Sequence, residues 1–91
     1  MFCAVAYDIK DDKRRQKLFK LLGGFGFNKQ YSLFECDLSQ DEIDRMVAGI
    51  KRTIDQEEDK VTVYILCPSC FNKIKHFGPG EPFSEDDVII I

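Results

Sequence analysis

The sequence predicts an α+β fold in which four short strands and two helices follow one another in the order βαββαβ. Residues 2–9 and 61–66 are short, apolar and partly β-branched, as strands are. Between them lie two segments whose apolar residues recur at helical spacing, each preceded by residues that favour a helix start. This order of elements is that of the ferredoxin-like fold.

The first helix is predicted directly after the opening strand. Asp11 can cap it, and Asp12 in its first turn is favoured by the helix dipole. The buried stripe consists of apolar residues at i, i+3, i+4 and i+7: Leu18, Leu21, Leu22 and Phe25. Glycines at 23, 24 and 26 then end the helix.

Two strands and a second helix follow. Residues 27–30 and 32–37 are predicted to form a close antiparallel pair. Ser39 and Glu42 have the spacing of a capping box, and Leu38 with Ile43 that of a hydrophobic staple. Residues 55–60, which are almost all charged, are predicted to form a solvated loop before the last strand of the domain.

The C-terminal segment adds to this minimal pattern. We predict a ferredoxin-like domain over residues 1–77 and a tail over residues 78–91, with a glycine and proline breaker between them. The tail ends in four apolar β-branched residues, which would be an aggregation hazard if left exposed. We expect them to add a strand to a sheet edge, most simply that of a second subunit: Val88, Ile89, Ile90 and Ile91.

Composition narrows the class of protein. The 91 residues suit one domain, and the 44% hydrophobic content suits a globular one. No apolar run is long enough to span a membrane, and the N-terminus does not resemble a signal peptide, so we expect a cytoplasmic protein that does not enter a membrane.

The four cysteines of a cytoplasmic protein are expected to be reduced thiols. Cys67 and Cys70 form a C-x-x-C pair, for which a metal or redox role is the alternative to ordinary thiols.

The net charge of −3 conceals an uneven distribution. The first 34 residues hold seven of the 13 Lys and Arg but only three of the 16 Asp and Glu. Such asymmetry is compatible with a basic face on an acidic protein. The bases around the first helix are candidates for phosphate binding, although a charged run is commonly just the solvated face of a helix: Lys10, Lys13, Arg14, Arg15 and Lys17.

Asp8 is the sharpest candidate for chemistry, because this carboxylate stands at the end of the first strand and directly ahead of the basic helix. It is either a ligand for Mg²⁺ or Mn²⁺ or a polar strand end that bonds nearby amides. One carboxylate makes a poor metal site, but a two-fold dimer could bring two copies of Asp8 together for one ion. The small residues Ala4 and Ala6 on the same strand face would allow two sheets to approach. Tyr7 and Phe34 could stack on bases or belong to the core.

The sequence resembles the family of CRISPR-associated protein two over residues 1–76. The matching stretches are residues 5–9, 11–15, 17–18, 22, 24–26, 30–36, 57–59, 61 and 63–67. The resemblance implies a ferredoxin-like homodimer that acts in the acquisition of new CRISPR spacers, where two dimers of the CRISPR integrase flank it and the assembly holds a double-stranded prespacer DNA. It also implies an alternative activity, a metal-dependent endonuclease on RNA or double-stranded DNA.

The resemblance assigns roles to particular residues. It implies that Asp8 is the catalytic residue and holds Mg²⁺ or Mn²⁺ together with Asp8 of the second subunit. Arg15 and Lys17 match basic positions of the family, and Ser32 and Phe34 match positions just after the second-strand turn. From the residues and the resemblance together, the scaffold role is favoured and the nuclease activity is left as the alternative.

Overall fold

A computed structural model describes residues 1–30 and 32–78 of the chain. The elements are β1 (Phe2–Asp8), α1 (Asp12–Gly23), β2 (Gly26–Gln30), β3 (Leu33–Asp37), α2 (Gln40–Thr53), β4 (Lys60–Leu66) and a short α3 (Pro68–Phe71). The strands form one sheet in the order β2-β3-β1-β4, with each neighbouring pair antiparallel. The α+β prediction and its ferredoxin-like βαββαβ order are confirmed.

The local signals for both helices are confirmed by their caps. The Asp11 side chain accepts a hydrogen bond from the Arg14 amide at 3.0 Å. At α2 the capping box is complete: the Glu42 amide donates to Ser39 Oγ, and the Ser39 amide donates to Glu42 Oε1 at 2.9 Å. These bonds satisfy amides that a helix start otherwise leaves unpaired.

The core lies between the two helices and one face of the sheet. Strand alternation turns Cys3, Val5 and Tyr7 of β1 toward the helices, and the same face receives Phe34 and Cys36 from β3. The helices contribute Leu18 and Leu22 from α1 and Ile43, Met46 and Ile50 from α2. Because both helices pack on this single face, the opposite face of the sheet is left for other contacts.

That opposite face, here called the open face, carries Ala4, Ala6 and Asp8 on β1 and their cross-strand neighbours on β3 and β4. Tyr64, which pairs with Ala4, is 55% exposed. At one end of the face α3 provides cover, where the Phe71 ring lies 5.0 Å from the Phe2 ring.

Within the described residues, no helix combines the length and apolarity needed to cross a membrane. The predicted tail strand of Val88, Ile89, Ile90 and Ile91 lies outside these residues, so it stays a prediction, as does the homodimer.

Candidate nucleic-acid and metal site

Asp8 occupies the last position of β1, where its backbone pairs in register with Lys60 of β4. Its side chain is exposed, and alternation along the strand places it on the open face with Ala4 and Ala6. Among the residues that the structure describes, none makes a hydrogen bond or ion pair with the Asp8 carboxylate. The prediction of a strand-end carboxylate near the basic helix is therefore confirmed in its placement. The alternative in which Asp8 bonds nearby amides finds no support within these residues.

The chain that follows Asp8 is held in place by a second, buried carboxylate. Asp59 lies at the end of the loop before β4, and its side chain is 0% exposed. The Lys10 amide donates to its Oδ1 at 3.1 Å, and the Asp55 amide donates to its Oδ2 at 2.9 Å. The Arg14 guanidinium donates to both oxygens, at 2.7 Å from Nε and 3.3 Å from Nη2.

This network ties three segments to one side chain: the β1–α1 connection, α1 itself and the α2–β4 loop. Its electrostatics follow from its geometry. The Arg14 guanidinium, aided by the Asp55 and Lys10 amides, holds the pKa of Asp59 well below its usual range. The same contact raises the pKa of Arg14. Asp59 is therefore an ionised carboxylate, and every donor around it favours that form.

Asp59 corrects the prediction that residues 55–60 form a simple solvated loop. Glu57, Glu58 and Lys60 are exposed as predicted, but Asp59 points inward because its oxygens have four donors there. Charge pattern alone gave no sign of this. The match of residues 57–59 to the resembled family marks this segment but does not assign a role to Asp59.

Arg14 was predicted to bind nucleic acid, but its guanidinium is committed within the chain. Besides Asp59 it contacts Glu58, whose Oε2 lies 3.2 Å from Nη2. A phosphate would have to compete with two carboxylates for the same donors. We therefore interpret Arg14 as a residue that positions the β1–α1 connection.

The other basic residues that were predicted to bind phosphate lie on the surface of α1 and of the connection that precedes it. Lys10, Lys13, Arg15 and Lys17 are exposed, and Lys20 continues the row. Arg15 forms an ion pair with Asp12, one turn earlier on the helix. The side chains of Lys13, Lys17 and Lys20 recur every three or four residues, so they share one side of α1, here called the lysine row.

Tyr7 and Phe34 were candidates for base stacking, but their burial argues against that role. Both belong to the core, with 6% and 1% of their surfaces exposed, and their ring centroids lie 6.3 Å apart. Phe19 of α1 packs edge-on against Phe34 at 5.3 Å. A base could reach neither ring without opening the core, because both point toward the helices. Ser32 is exposed in the β2–β3 turn, where its carbonyl accepts a hydrogen bond from the Tyr7 amide.

The donor chemistry at Asp8 suits a hard divalent cation, since an exposed carboxylate with uncommitted oxygens is the type of ligand that Mg²⁺ prefers. Within residues 1–30 and 32–78, no group of three or more potential ligands is found. The predicted metal site therefore requires Asp8 from each of two subunits, not a cluster of ligands within one chain.

The fold and the site together define a small α+β protein of ferredoxin-like topology, with a free strand-end carboxylate beside a basic helix. A family model described as CRISPR associated protein Cas2 matches residues 1–74. The chain is 40% identical to the CRISPR-associated endoribonuclease Cas2 1 of Chloroflexus aurantiacus over the full length of both. It is 36% identical to a CRISPR-associated endoribonuclease Cas2 of Thermus thermophilus, over 86% of this chain and 83% of that one. The chain belongs to the Cas2 family.

Solved structures agree with the fold. A hypothetical protein from Thermus thermophilus superposes with a TM-score of 0.78 at 34% identity, covering 88% of this chain and 93% of that one. Cas2 of Streptococcus pyogenes superposes with a TM-score of 0.74 at 25% identity, covering 86% of this chain and all of that one.

Proposed function

We propose that this protein acts in CRISPR adaptation as a dimeric scaffold that holds double-stranded prespacer DNA together with dimers of the CRISPR integrase. The observation that carries the proposal is the lysine row, three exposed ammonium groups along one side of α1, with Lys10 and Arg15 nearby. Bases in such a row contact successive phosphates without reading sequence, as a scaffold for varied DNA requires. Membership of the Cas2 family supports the CRISPR context.

The proposed dimer forms through the open face. Ala4 and Ala6 are small, so they allow close approach of a second sheet, and Tyr64 offers an exposed aromatic surface beside them. An uncovered sheet face with apolar residues is a usual place for a symmetric contact. Packing two open faces about a two-fold axis near the end of β1 would also bring the two Asp8 side chains together.

The salt dependence of duplex binding tests the scaffold. We compare the wild type with a variant in which Lys13, Lys17 and Lys20 are replaced by Gln. The matched control replaces Arg45, Lys51 and Arg52, three exposed bases on the other helix, by Gln. Each lost phosphate contact lowers the slope of log K against log salt by about 0.9, so three lost contacts should flatten it by about 2.7. An unchanged slope in the lysine variant, or an equal change in the control, would show that the row is only a solvated face.

A second candidate, metal-dependent cleavage of RNA or double-stranded DNA, is favoured by the free Asp8 carboxylate and by the relatives that are named endoribonucleases. Asp8 from each subunit would hold the Mg²⁺ or Mn²⁺ ion. The bound ion would supply an activated water and stabilise charge on the phosphate. The buried Asp59 network would hold the chain next to Asp8 in place, and the nearby bases would orient the phosphate backbone.

The cleavage candidate is tested by measuring single-turnover cleavage of labelled RNA and DNA with Mg²⁺, with Mn²⁺ and with a chelator. Asp8→Asn should abolish metal-dependent cleavage while retaining duplex binding, because it removes the charge that holds the ion but not the lysine row. Asp41→Asn, a change at an exposed carboxylate of α2, is the matched control and should cleave as the wild type does. Equal cleavage by wild type and Asp8→Asn would assign the activity to a contaminant or to another site.

A further inference from the structure

The C-x-x-C pair lies apart from the proposed nucleic-acid site, at the turn where β4 passes into α3. Cys67 is the N-cap of α3, and Cys70 is the third residue of that helix. Both thiols are exposed, whereas Cys3 and Cys36 are buried in the core. The chain therefore separates its four cysteines into two that solution reagents can reach and two that they cannot.

Cys67 and Cys70 stand three residues apart at the start of α3, a spacing at which side chains on a helix are neighbours. Cys67 has φ −71° and ψ 165°, almost the same as Ser39 at the start of α2, which has φ −73° and ψ 167°. In the α2 capping box, the side chains of the N-cap and of the third helical residue each reach the backbone of the other. Cys67 and Cys70 occupy the same two positions in α3, where Cys67 makes no side-chain capping bond and its carbonyl accepts the first helical hydrogen bond, from the Phe71 amide at 2.9 Å.

We propose that Cys67 and Cys70 form a redox-active dithiol that closes to an intramolecular disulfide by exchange with small disulfides. The Cys67 thiolate attacks one sulfur of the disulfide, and the other half leaves as a thiolate that takes up a proton. The Cys70 thiolate then attacks Cys67 Sγ and expels the second half in the same way. Two protein thiols are oxidised and one small disulfide is reduced to two thiols, so atoms and electrons balance.

The division of roles follows from the surroundings of each sulfur. The nearby amide and thiol of Cys70 lower the pKa of the Cys67 thiol. The pKa of Cys70 is raised by the neighbouring Cys67 sulfur. Thiolate is the nucleophilic form, so Cys67 attacks first and Cys70 resolves the mixed disulfide. Among the described residues no third metal ligand joins the pair, and for this reason we favour exchange over metal binding.

The experiment uses the full chain in glutathione buffers of graded redox ratio, followed by alkylation and peptide mass spectrometry. We expect the wild type to form a disulfide between Cys67 and Cys70, with Cys3 and Cys36 remaining as thiols. Cys70→Ser should stop at a mixed disulfide between Cys67 and glutathione. At neutral pH, Cys67 in the Cys70→Ser variant should react with iodoacetamide faster than Cys70 in the Cys67→Ser variant, because the backbone amides of residues 69 and 70, which lower the pKa of Cys67, are unchanged.

Three outcomes would overturn the proposal. One is the absence of an intramolecular disulfide at every glutathione ratio in the wild type. Another is equal alkylation rates for the two single variants. The third is retention of stoichiometric Zn²⁺ through gel filtration with protection of both thiols, which would make the pair a metal site. Both substitutions lie at exposed positions, so the variants should fold. Their folding is checked by alkylation of the buried Cys3 and Cys36, which should occur only after denaturation.

Discussion

The guanidinium of Arg14 and the carboxylate of Asp59 form an ion pair that joins α1 to the loop before β4, with Nε 2.7 Å from Oδ2. Only the arginine has exposed surface, 26% of its side chain, while the aspartate side chain is fully covered. The same carboxylate accepts the Lys10 amide, two residues after Asp8. The connection that presents Asp8 is thus fixed by a residue 51 positions away in the chain.

The first prediction concerns acid stability. The folded-state pKa of Asp59 lies below the ordinary value of 3.8, so its contribution to stability is present above about pH 4 and is lost as the pH falls further. Asp59→Asn should therefore lower the free energy of unfolding at pH 7 and flatten its decline below pH 4. Urea unfolding across that range measures both. Glu57→Gln, an exposed change in the same loop, is the control and should leave the profile unchanged. A profile for Asp59→Asn that parallels the wild type would contradict the prediction.

The second prediction separates the core role of Phe34 from base stacking. Phe34→Ala should cost about 3–5 kcal/mol of unfolding free energy, because it removes a fully buried ring. Phe77→Ala, at a ring that is 87% exposed, should change stability by less than about 0.5 kcal/mol. Denaturant unfolding measures both, and duplex binding is then compared under conditions where each variant is folded. Weaker binding by fully folded Phe34→Ala would restore the base-stacking interpretation.

The third prediction uses two glycines that flank the α1–β2 connection. A Cβ at Gly26 would lie 2.4 Å from the Glu35 carbonyl oxygen and 2.5 Å from Cys36 Sγ, whereas a Cβ at Gly23 would meet nothing within 4 Å. Gly26→Ala should thus destabilise by about 1–3 kcal/mol through overpacking. Gly23→Ala should be neutral or stabilising by up to about 1 kcal/mol, since the site is helical. Thermal unfolding compares the pair, and equal melting temperatures would contradict the expected clash.

The fourth prediction concerns the tail, which lies outside the described residues. Deletion of residues 84–91 should shift the protein toward monomer or weaken its assembly with the integrase, because the apolar end is expected to cover a sheet edge. Analytical ultracentrifugation and co-purification measure these effects. Replacing Ser84, Glu85, Asp86 and Asp87 by alanine keeps the apolar end and serves as the control. A truncated protein that remains fully dimeric and still assembles would make the tail dispensable.

Local sequence signals were enough to predict the elements of this fold. The caps at Asp11 and Ser39 and the apolar periodicity of both helices are local signals, because their geometry involves residues only a few positions apart. Residues 2–9 and 61–66 predicted β1 and β4 to within one residue at either end. The placement of Asp8 at a strand end beside a basic helix is local in the same sense.

Long-range packing sets the role of each charged or aromatic residue. Tyr7 and Phe34 are buried because β1 and β3 turn the same face toward the helices, and that register is set by pairing between distant segments. Asp59 is buried because donors from three segments converge on it, which no pattern within residues 55–60 encodes. Arg14 and Lys13 are neighbours in one basic run, yet the helix turns only Arg14 toward Asp59. Local sequence sets the backbone, whereas long-range packing determines which charges remain free to bind.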